Sequence, residues 1–207
     1  MCGRFSLTAT AAGLVAQFQL THSFVMVPRY NIAPTEVIPV IRKMGVLEFL
    51  NWGLKPSWMD AAQIKDGFVN ARAETARIKP AFRNAVYKRR CLIIADGYYE
   101  WKRVDEAKQP FYVYRKDHTA FALAGLWEGE TCTLLTTVAS EKIKVIHERM
   151  PIIIPVSDYA TWLNPKTNKE WVNRALSVKD KCELMFHQVS PRVNLVGVEG
   201  AACIRAL

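Results

Sequence analysis

The sequence lacks the features that direct a chain into or across a membrane. It has no run of about 18 apolar residues, so we expect no transmembrane helix and no membrane partner. Its first residues lack the basic start and the apolar stretch of a secretory signal. These absences predict a protein that stays in the cytoplasm.

Cysteine and histidine are too few, and too irregularly spaced, for a disulfide scaffold or a metal centre. The five cysteines are an odd number and include no C-x-x-C pair. The segment HERMP (147–151) begins like the zinc-binding motif H-E-x-x-H, but Pro151 stands where the second histidine would be needed. We therefore expect no metal and no cofactor.

Hydrophobic and positively charged side chains are abundant. Of the 207 residues, 50% are hydrophobic, which is enough for a sizeable core in a single domain over residues 1–207, and nothing requires more than a monomer. Lys and Arg number 28 against 19 Asp and Glu, a formal net charge of +9. This excess is typical of proteins that bind nucleic acids, although a merely basic soluble protein fits it equally well. Binding to DNA would associate the protein with the nucleoid.

The middle of the sequence is typical of a β-rich core. Apolar runs with β-branched and aromatic residues recur between turn formers, at 37–41, 46–52, 91–96, 111–115, 120–127 and 132–139. Shorter helical patterns lie at 10–20, 74–89 with a break at Pro80, 157–163 and 169–176, with Ser157, Asp158 and Asn168 as candidate caps. We predict an α+β fold in which short helices flank a curved sheet or open barrel.

A cysteine directly follows the initiator methionine in the opening segment MCGRF. Once Met1 is removed, Cys2 carries a thiol and a free α-amine on adjacent carbons, a pair of nucleophiles that no internal cysteine has. An α-amine has an ordinary pKa of about 7.7–8.0, so part of it is neutral and nucleophilic at physiological pH. Cys91 and Cys132, by contrast, lie in apolar runs and are typical of buried core residues.

Five polar segments do not fit a purely structural interpretation: PRYNIAP (28–34), NWGLKPSW (51–58), NARAET (70–75), ADGYYEW (95–101) and HERMP (147–151). In NARAET (70–75), Asn70, Arg72 and Glu74 would share one side of a strand, where an amide can hold an oxygen and an arginine can clamp a phosphate. The alternative is that Asn70 caps a helix with Glu74 in its first turns. Both interpretations remain open from the sequence.

Two further segments each contain a candidate acid or base. In ADGYYEW (95–101), Glu100 follows an apolar strand between aromatic residues, where desolvation would raise its pKa and suit it to proton transfer. The alternative is a surface glutamate on the outer face of the strand. His147 in HERMP is suited to proton transfer near neutral pH, and Arg149 can bind a phosphate, but a lone histidine can equally be structural.

Several aromatic residues are candidates for stacking on the bases of a single strand. Trp52 and Trp58 in NWGLKPSW are the main ones, and Tyr98 and Tyr99 are others. Aromatic side chains also fill cores, and Trp127 in AGLW is expected to do so. The sequence does not separate the two roles.

Together these segments resemble one known family. In order along the chain, MCGRF, PRYNIAP, NWGLKPSW, NARAET, KPAFR, RRCLI, ADGYYEW, AGLWE and HERMP are similar to motifs of the SRAP family, the SOS response-associated peptidase domain, also called abasic site processing proteins. They cover nearly the whole chain. Ile94 stands where the family usually has proline. The tail after Asn194 lacks the usual second asparagine and proline-rich ending, so no role is carried over to it.

The resemblance implies that the protein binds single-stranded DNA containing abasic sites and crosslinks to them in the DNA damage response. It implies catalytic roles for four residues and phosphate contacts for others: Cys2, Asn70, Glu100 and His147 in the first group, and Arg72 and Arg149, with Arg4 as a third candidate, in the second. The crosslinking residue of the family matches Cys2. Such a crosslink would shield the site from strand cleavage.

The expected chemistry is the reaction of the sugar aldehyde of an abasic site with the amine and the thiol of Cys2. The Cys2 amine condenses with the open-chain sugar to a Schiff base, and the thiol closes a thiazolidine ring. We expect Glu100 to shuttle protons, His147 to protonate the departing sugar hydroxyl and Asn70 to orient the amine or a sugar oxygen. A Schiff base beside a β-phosphate also permits elimination, so weak lyase activity is expected to accompany crosslinking.

Two other functions are compatible with the same residues. One is an N-terminal cysteine hydrolase, a peptidase that processes its own Met1 or releases the crosslink, with the Cys2 amine as base. The other is a non-covalent reader of modified DNA in which Cys2 plays no chemical part. The net charge of +9 favours a polyanion over a peptide as the partner.

Overall fold

A computed structural model describes residues 2–60, 64–105, 107–177 and 182–207. Two β-sheets dominate it, and the predicted α+β fold with a β-rich core is confirmed. The first sheet contains β1 (Phe5–Leu7), β2 (Arg29–Ile32), β7 (Gly97–Val104), β8 (Ala107–Arg115) and β13 (Leu184–Gln188). The second contains β3 (Val37–Lys43), β4 (Val46–Trp52), β5 (Asn70–Arg72), β6 (Arg90–Ala95), β9 (Phe121–Glu128), β10 (Thr131–Val138), β11 (Arg149–Pro151) and β12 (Ile153–Ile154).

The second sheet closes on itself. Its pairings run from β3 to β4, from β4 to β10, from β10 to β9, from β9 to β6 and from β6 back to β3. The predicted curved sheet is therefore a closed ring of five strands, joined at the β4–β10 step by a short parallel pairing. All six residues of β6, which lies within this ring, are buried.

The N-terminal segment is an internal strand of the first sheet. Its order is β13-β8-β7-β1-β2, and Phe5 pairs with both Ile32 and Tyr98. The buried Asp96 between β6 and β7 fixes this segment, because its carboxylate accepts from Ser6 Oγ at 2.6 Å and Thr8 Oγ1 at 2.7 Å. A buried carboxylate with several donors ties chain segments together firmly. Cys2 is thereby held next to β7.

The helices are short and lie between the strands. They are α1 (Ala11–Phe18), α2 (Ala73–Ala76), α3 (Ala85–Lys88), α4 (Glu141–Lys144), α5 (Tyr159–Leu163) and α6 (Lys169–Ser177). The Asn168 side chain accepts from the Trp171 amide at 2.8 Å, as a cap should, but Asp158 makes no side-chain cap bond. The pattern at 74–89 gives two single helical turns, α2 and α3, on either side of Pro80.

The alternative in which Asn70 caps a helix is wrong. Asn70 lies in β5, which pairs in parallel with β10, and α2 begins three residues later at Ala73. Pairing with a central strand therefore decides between two local interpretations that the sequence left open. Within the described residues, no helix is long and apolar enough to span a bilayer.

Candidate active site

Cys2 is completely buried beside the first sheet. Its Sγ lies 3.7 Å from the Arg4 carbonyl oxygen, and the Tyr99 amide donates to that carbonyl at 2.9 Å. This bond connects the N-terminal segment to β7, the strand that carries Glu100. Burial, and to a smaller extent the charge of Glu100, raise the pKa of the Cys2 thiol well above its usual value. The thiol is therefore protonated at neutral pH.

Asn70 holds the backbone of Cys2. Its Nδ2 donates to the Cys2 carbonyl oxygen at 2.8 Å, across 68 positions of sequence. Its Oδ1 is buried and has no hydrogen-bond partner within the described part of the chain. The side chain thus positions the N-terminal residue with one end and keeps an acceptor for a further donor at the other.

Glu100 is buried rather than on the outer face of its strand. Its side chain is only 1% exposed, and Tyr98 and Tyr99 beside it are fully buried. Burial raises the pKa of the Glu100 carboxyl from 4.5 to about 7. The sequence-based expectation of a desolvated carboxyl is confirmed, and such a group is suited to give and take protons at neutral pH.

His147 stands opposite Glu100, between α4 and β11. Its Nδ1 lies 3.8 Å from Glu100 Oε2 and 2.9 Å from the Arg149 amide nitrogen. The Arg149 carbonyl oxygen also lies 3.2 Å from Nδ1, so the contacts of this nitrogen fit either tautomer of the neutral ring. Burial lowers the pKa of His147, so the neutral ring predominates at physiological pH.

The two arginines predicted to hold phosphates have different surroundings. Arg149 makes a two-pronged ion pair with Glu74, at 2.6 and 2.9 Å, and also donates to the Thr136 carbonyl at 2.7 Å. A phosphate on Arg149 would have to compete with Glu74. Arg72 is exposed, and no ion pair is found for it within the described residues. Arg72 is thus the more accessible cation.

Arg4 is engaged by the protein itself. Its guanidinium donates to Asn31 Oδ1 at 2.9 Å and to the carbonyls of Val193 at 2.7 Å and Asn194 at 3.3 Å. Asn31, which is fully buried, also donates to the Val193 carbonyl. Arg4 thereby ties the N-terminal segment to the C-terminal tail, and its phosphate contact stays a prediction.

The two tryptophans predicted to stack on bases are not equivalent. Trp52 is fully buried, its Nε1 donates to the Val69 carbonyl at 2.9 Å, and its ring contacts Phe5. The stacking prediction for Trp52 is wrong for this structure, because the closed barrel takes the ring into its core. Trp58 is 61% exposed and keeps its stacking prediction.

Glu100 and His147 open onto a cleft of about 470 Å³. Its other lining residues are Trp101, Arg103, Lys108 and Asn194. Sequence analysis missed these four, although the cations that follow Glu100 along β7 were a signal. Asn31 was missed too; it lies inside the motif PRYNIAP, and a buried polar side chain is visible only once its partners are known. Within the described residues, no three His, Cys, Asp or Glu side chains come together as metal ligands do.

Comparison with known proteins identifies the family of this chain. Residues 1–196 match the family model described as SOS response associated peptidase (SRAP). The chain belongs to the SRAP family. The match includes the four residues considered catalytic and ends within the C-terminal tail.

SRAP relatives occur in distant bacteria. The abasic site processing protein YoaM of Bacillus subtilis is 39% identical, over 94% of this chain and 93% of its own. The abasic site processing protein YedK of Escherichia coli is 28% identical, over 99% of both chains. A crystal structure of a protein from Bacteroides thetaiotaomicron superimposes with a TM-score of 0.89 at 26% identity, over the full length of both chains. The SRAP fold is therefore shared across the whole chain.

Proposed function

We propose that this protein processes abasic sites by crosslinking to them in single-stranded DNA through Cys2, after Met1 is removed. The proposal is supported by the names of the relatives, abasic site processing proteins, and by the net charge of +9. The observation that carries it is the convergence of four side chains. Asn70 holds the Cys2 backbone at 2.8 Å, and Glu100 and His147 face each other at 3.8 Å beside it.

The amine attacks first. Because burial keeps the Cys2 thiol protonated, the α-amine is the better nucleophile at neutral pH. It adds to the aldehyde carbon of the opened sugar, and the resulting carbinolamine loses water to form the Schiff base. The thiol then adds to the imine carbon and its proton passes to the nitrogen. Aldehyde and aminothiol thus give one thiazolidine and one water.

Glu100 and His147 divide the proton transfers. With a pKa of about 7, Glu100 is present in both protonation states and can relay protons to and from the sugar hydroxyl and the carbinolamine. His147 lines the cleft and donates a proton to the ring oxygen that becomes a hydroxyl. The free Oδ1 of Asn70 accepts from the amine or from a sugar hydroxyl. Such positioning is worth several kcal/mol, about 7 or more in favourable cases.

The test separates the amine from the thiol. Purified protein, with Met1 removal confirmed by mass spectrometry, is mixed with a single-stranded oligonucleotide that carries one abasic site and is analysed on a denaturing gel. The wild type should give a heat-stable shifted band without reductant. Cys2→Ala keeps an α-amine, so it should give a band only when borohydride reduces the Schiff base. A variant with residues added before Cys2 should give neither.

Three outcomes would contradict the proposal. A wild-type band that survives the N-terminal extension would place the nucleophile elsewhere. No band with either treatment, while binding to the oligonucleotide persists, would favour a non-covalent reader. Loss of both the band and binding to the oligonucleotide would favour an N-terminal cysteine peptidase. Cleavage of a peptide substrate by the wild type, but not by Cys2→Ala, would then establish that activity.

A further inference from the structure

A groove leads away from the cleft along the hairpin of β7 and β8. The cleft at Glu100 and His147 shares Lys108 and Asn194 with a second, larger depression of about 770 Å³. The second depression follows the end of the hairpin on one side, and Gln188 and Pro191 line its other side. The two are continuous through the shared residues. A strand that occupies the cleft therefore has a way out along this hairpin.

Two cations of the hairpin face this path. Arg103 and Lys108 are directly opposite in the β7–β8 register, both are exposed, and both line the cleft. Within the described residues, neither has an ion pair or a side-chain hydrogen bond. Many other arginines are neutralised by carboxylates, namely Arg29, Arg42, Arg89, Arg115 and Arg149. An unneutralised pair beside a proposed DNA site favours a polyanion.

The wall between the two cations and the reacting groups is firmly held. Trp101 lies two positions before Arg103 on β7, and its Nε1 donates to Asn194 Oδ1 at 2.7 Å. Asn194 in turn belongs to the segment whose carbonyls bind Arg4. The hairpin is thus connected to the N-terminal segment that carries Cys2. A phosphate held at the hairpin would be held at a defined distance from the nucleophile.

We propose that Arg103 and Lys108 bind phosphates of the DNA strand on one side of the abasic site and guide that strand out of the cleft. This inference rests on the proposed function and names the path of the substrate. The acidic Asp105 lies at the turn of the hairpin and lines the second depression, which places the basic part of the path next to the cleft. The occupant is single-stranded DNA, recognised through its backbone rather than its bases.

The size of the expected change in the salt dependence of DNA binding follows from counterion release. Each phosphate contact with single-stranded DNA contributes about 0.7 to the slope of log K against log salt concentration. Loss of two contacts should therefore lower the slope by about 1.4. Binding at low salt should weaken, and the difference from the wild type should shrink as the salt concentration rises.

The experiment keeps binding separate from chemistry. Fluorescence anisotropy follows a labelled single-stranded oligonucleotide that carries a tetrahydrofuran site, an abasic analogue with no aldehyde. The variant R103A/K108A is compared with K43A/K166A, which removes two positive charges at exposed residues outside the cleft and the second depression. The exchange R103K/K108R keeps both charges. Crosslinking to a natural abasic site, measured in parallel, reports on the proposed function alone.

The expected result is a slope lower by about 1.4 for R103A/K108A, with the wild-type slope for both control variants. Oligonucleotides that end at the analogue on the 5′ or on the 3′ side then locate the path. One of the two should abolish the difference between wild type and R103A/K108A. An unchanged slope would overturn the inference, as would an equal loss in K43A/K166A or a difference that survives both truncations.

Discussion

Replacing Glu100 by glutamine should stabilise the protein in a way that depends on pH. The carboxyl is almost fully buried, and burial moves its pKa from 4.5 to about 7. A folded state that holds the proton more tightly than the unfolded state binds more protons between these two pH values. Stability therefore falls as the pH rises through this window. Glutamine has nearly the shape of the protonated acid and carries no charge.

The magnitude is the pKa difference multiplied by about 1.4 kcal/mol per pH unit, which gives about 3 kcal/mol. Well below pH 4.5 the carboxyl is protonated in both states, so this contribution is absent. Above pH 7 it is complete, and the wild type bears the full cost of a buried carboxylate. Compared with the wild type, Glu100→Gln should thus gain about 3 kcal/mol in unfolding free energy over this interval.

Urea unfolding at several pH values between 4 and 8 measures this difference. Only its change with pH matters, because a constant offset reflects the altered hydrogen bonding of the amide. Glu148→Gln, at an exposed position close to His147, serves as the matched control. The reasoning would be refuted if the unfolding free energy of Glu100→Gln relative to the wild type did not change with pH. If this difference fell as the pH rose, the sign of the proposed pKa shift would be wrong. Glu100→Gln should also slow crosslinking, since an amide cannot relay protons.

Two further predictions concern stability. Trp52→Ala should cost about 3–5 kcal/mol in urea unfolding because the ring is fully buried, whereas Trp58→Ala should stay within about 0.5 kcal/mol; similar losses for both would contradict the assignment of Trp52 to the core. Glu74→Gln should cost up to about 1 kcal/mol at neutral pH, since the carboxylate is half exposed. The ion pair with Arg149 lowers the pKa of Glu74, so its contribution is present above pH 4.5 and is lost on acidification; a gap between Glu74→Gln and wild type that persists at pH 2 would contradict this account.

The sequence predicted the strands well because their signals are local. The six apolar runs all became strands, and the carboxyl that followed the most apolar of them, Glu100, is buried as expected. The ambiguity at Asn70 had another origin. Strand and helix cap are both compatible with NARAET, and only the pairing with β10, more than 60 positions away, selects the strand.

The long-range partners of the arginines and tryptophans were not visible in the sequence. Trp52 and Trp58 occur in one motif, yet barrel closure buries the first and leaves the second exposed. Arg149 and Glu74 are 75 positions apart, and Arg4 reaches carbonyls almost 190 positions away. A backbone carbonyl has no sequence signature at all. Charges in a motif therefore indicate that cations are present, but not whether the fold has already neutralised them.

During synthesis, Cys2 leaves the ribosome first, but the residues that enclose it follow much later. The strand β1 becomes internal only when β7 pairs with it, and Arg4 waits for Val193 near the end of the chain. Pairings over such separations form slowly. The N-terminus therefore stays accessible while most of the chain is being made, and we expect Met1 to be removed in that interval. Under the proposed function, the crosslinking residue is therefore made first and enclosed last.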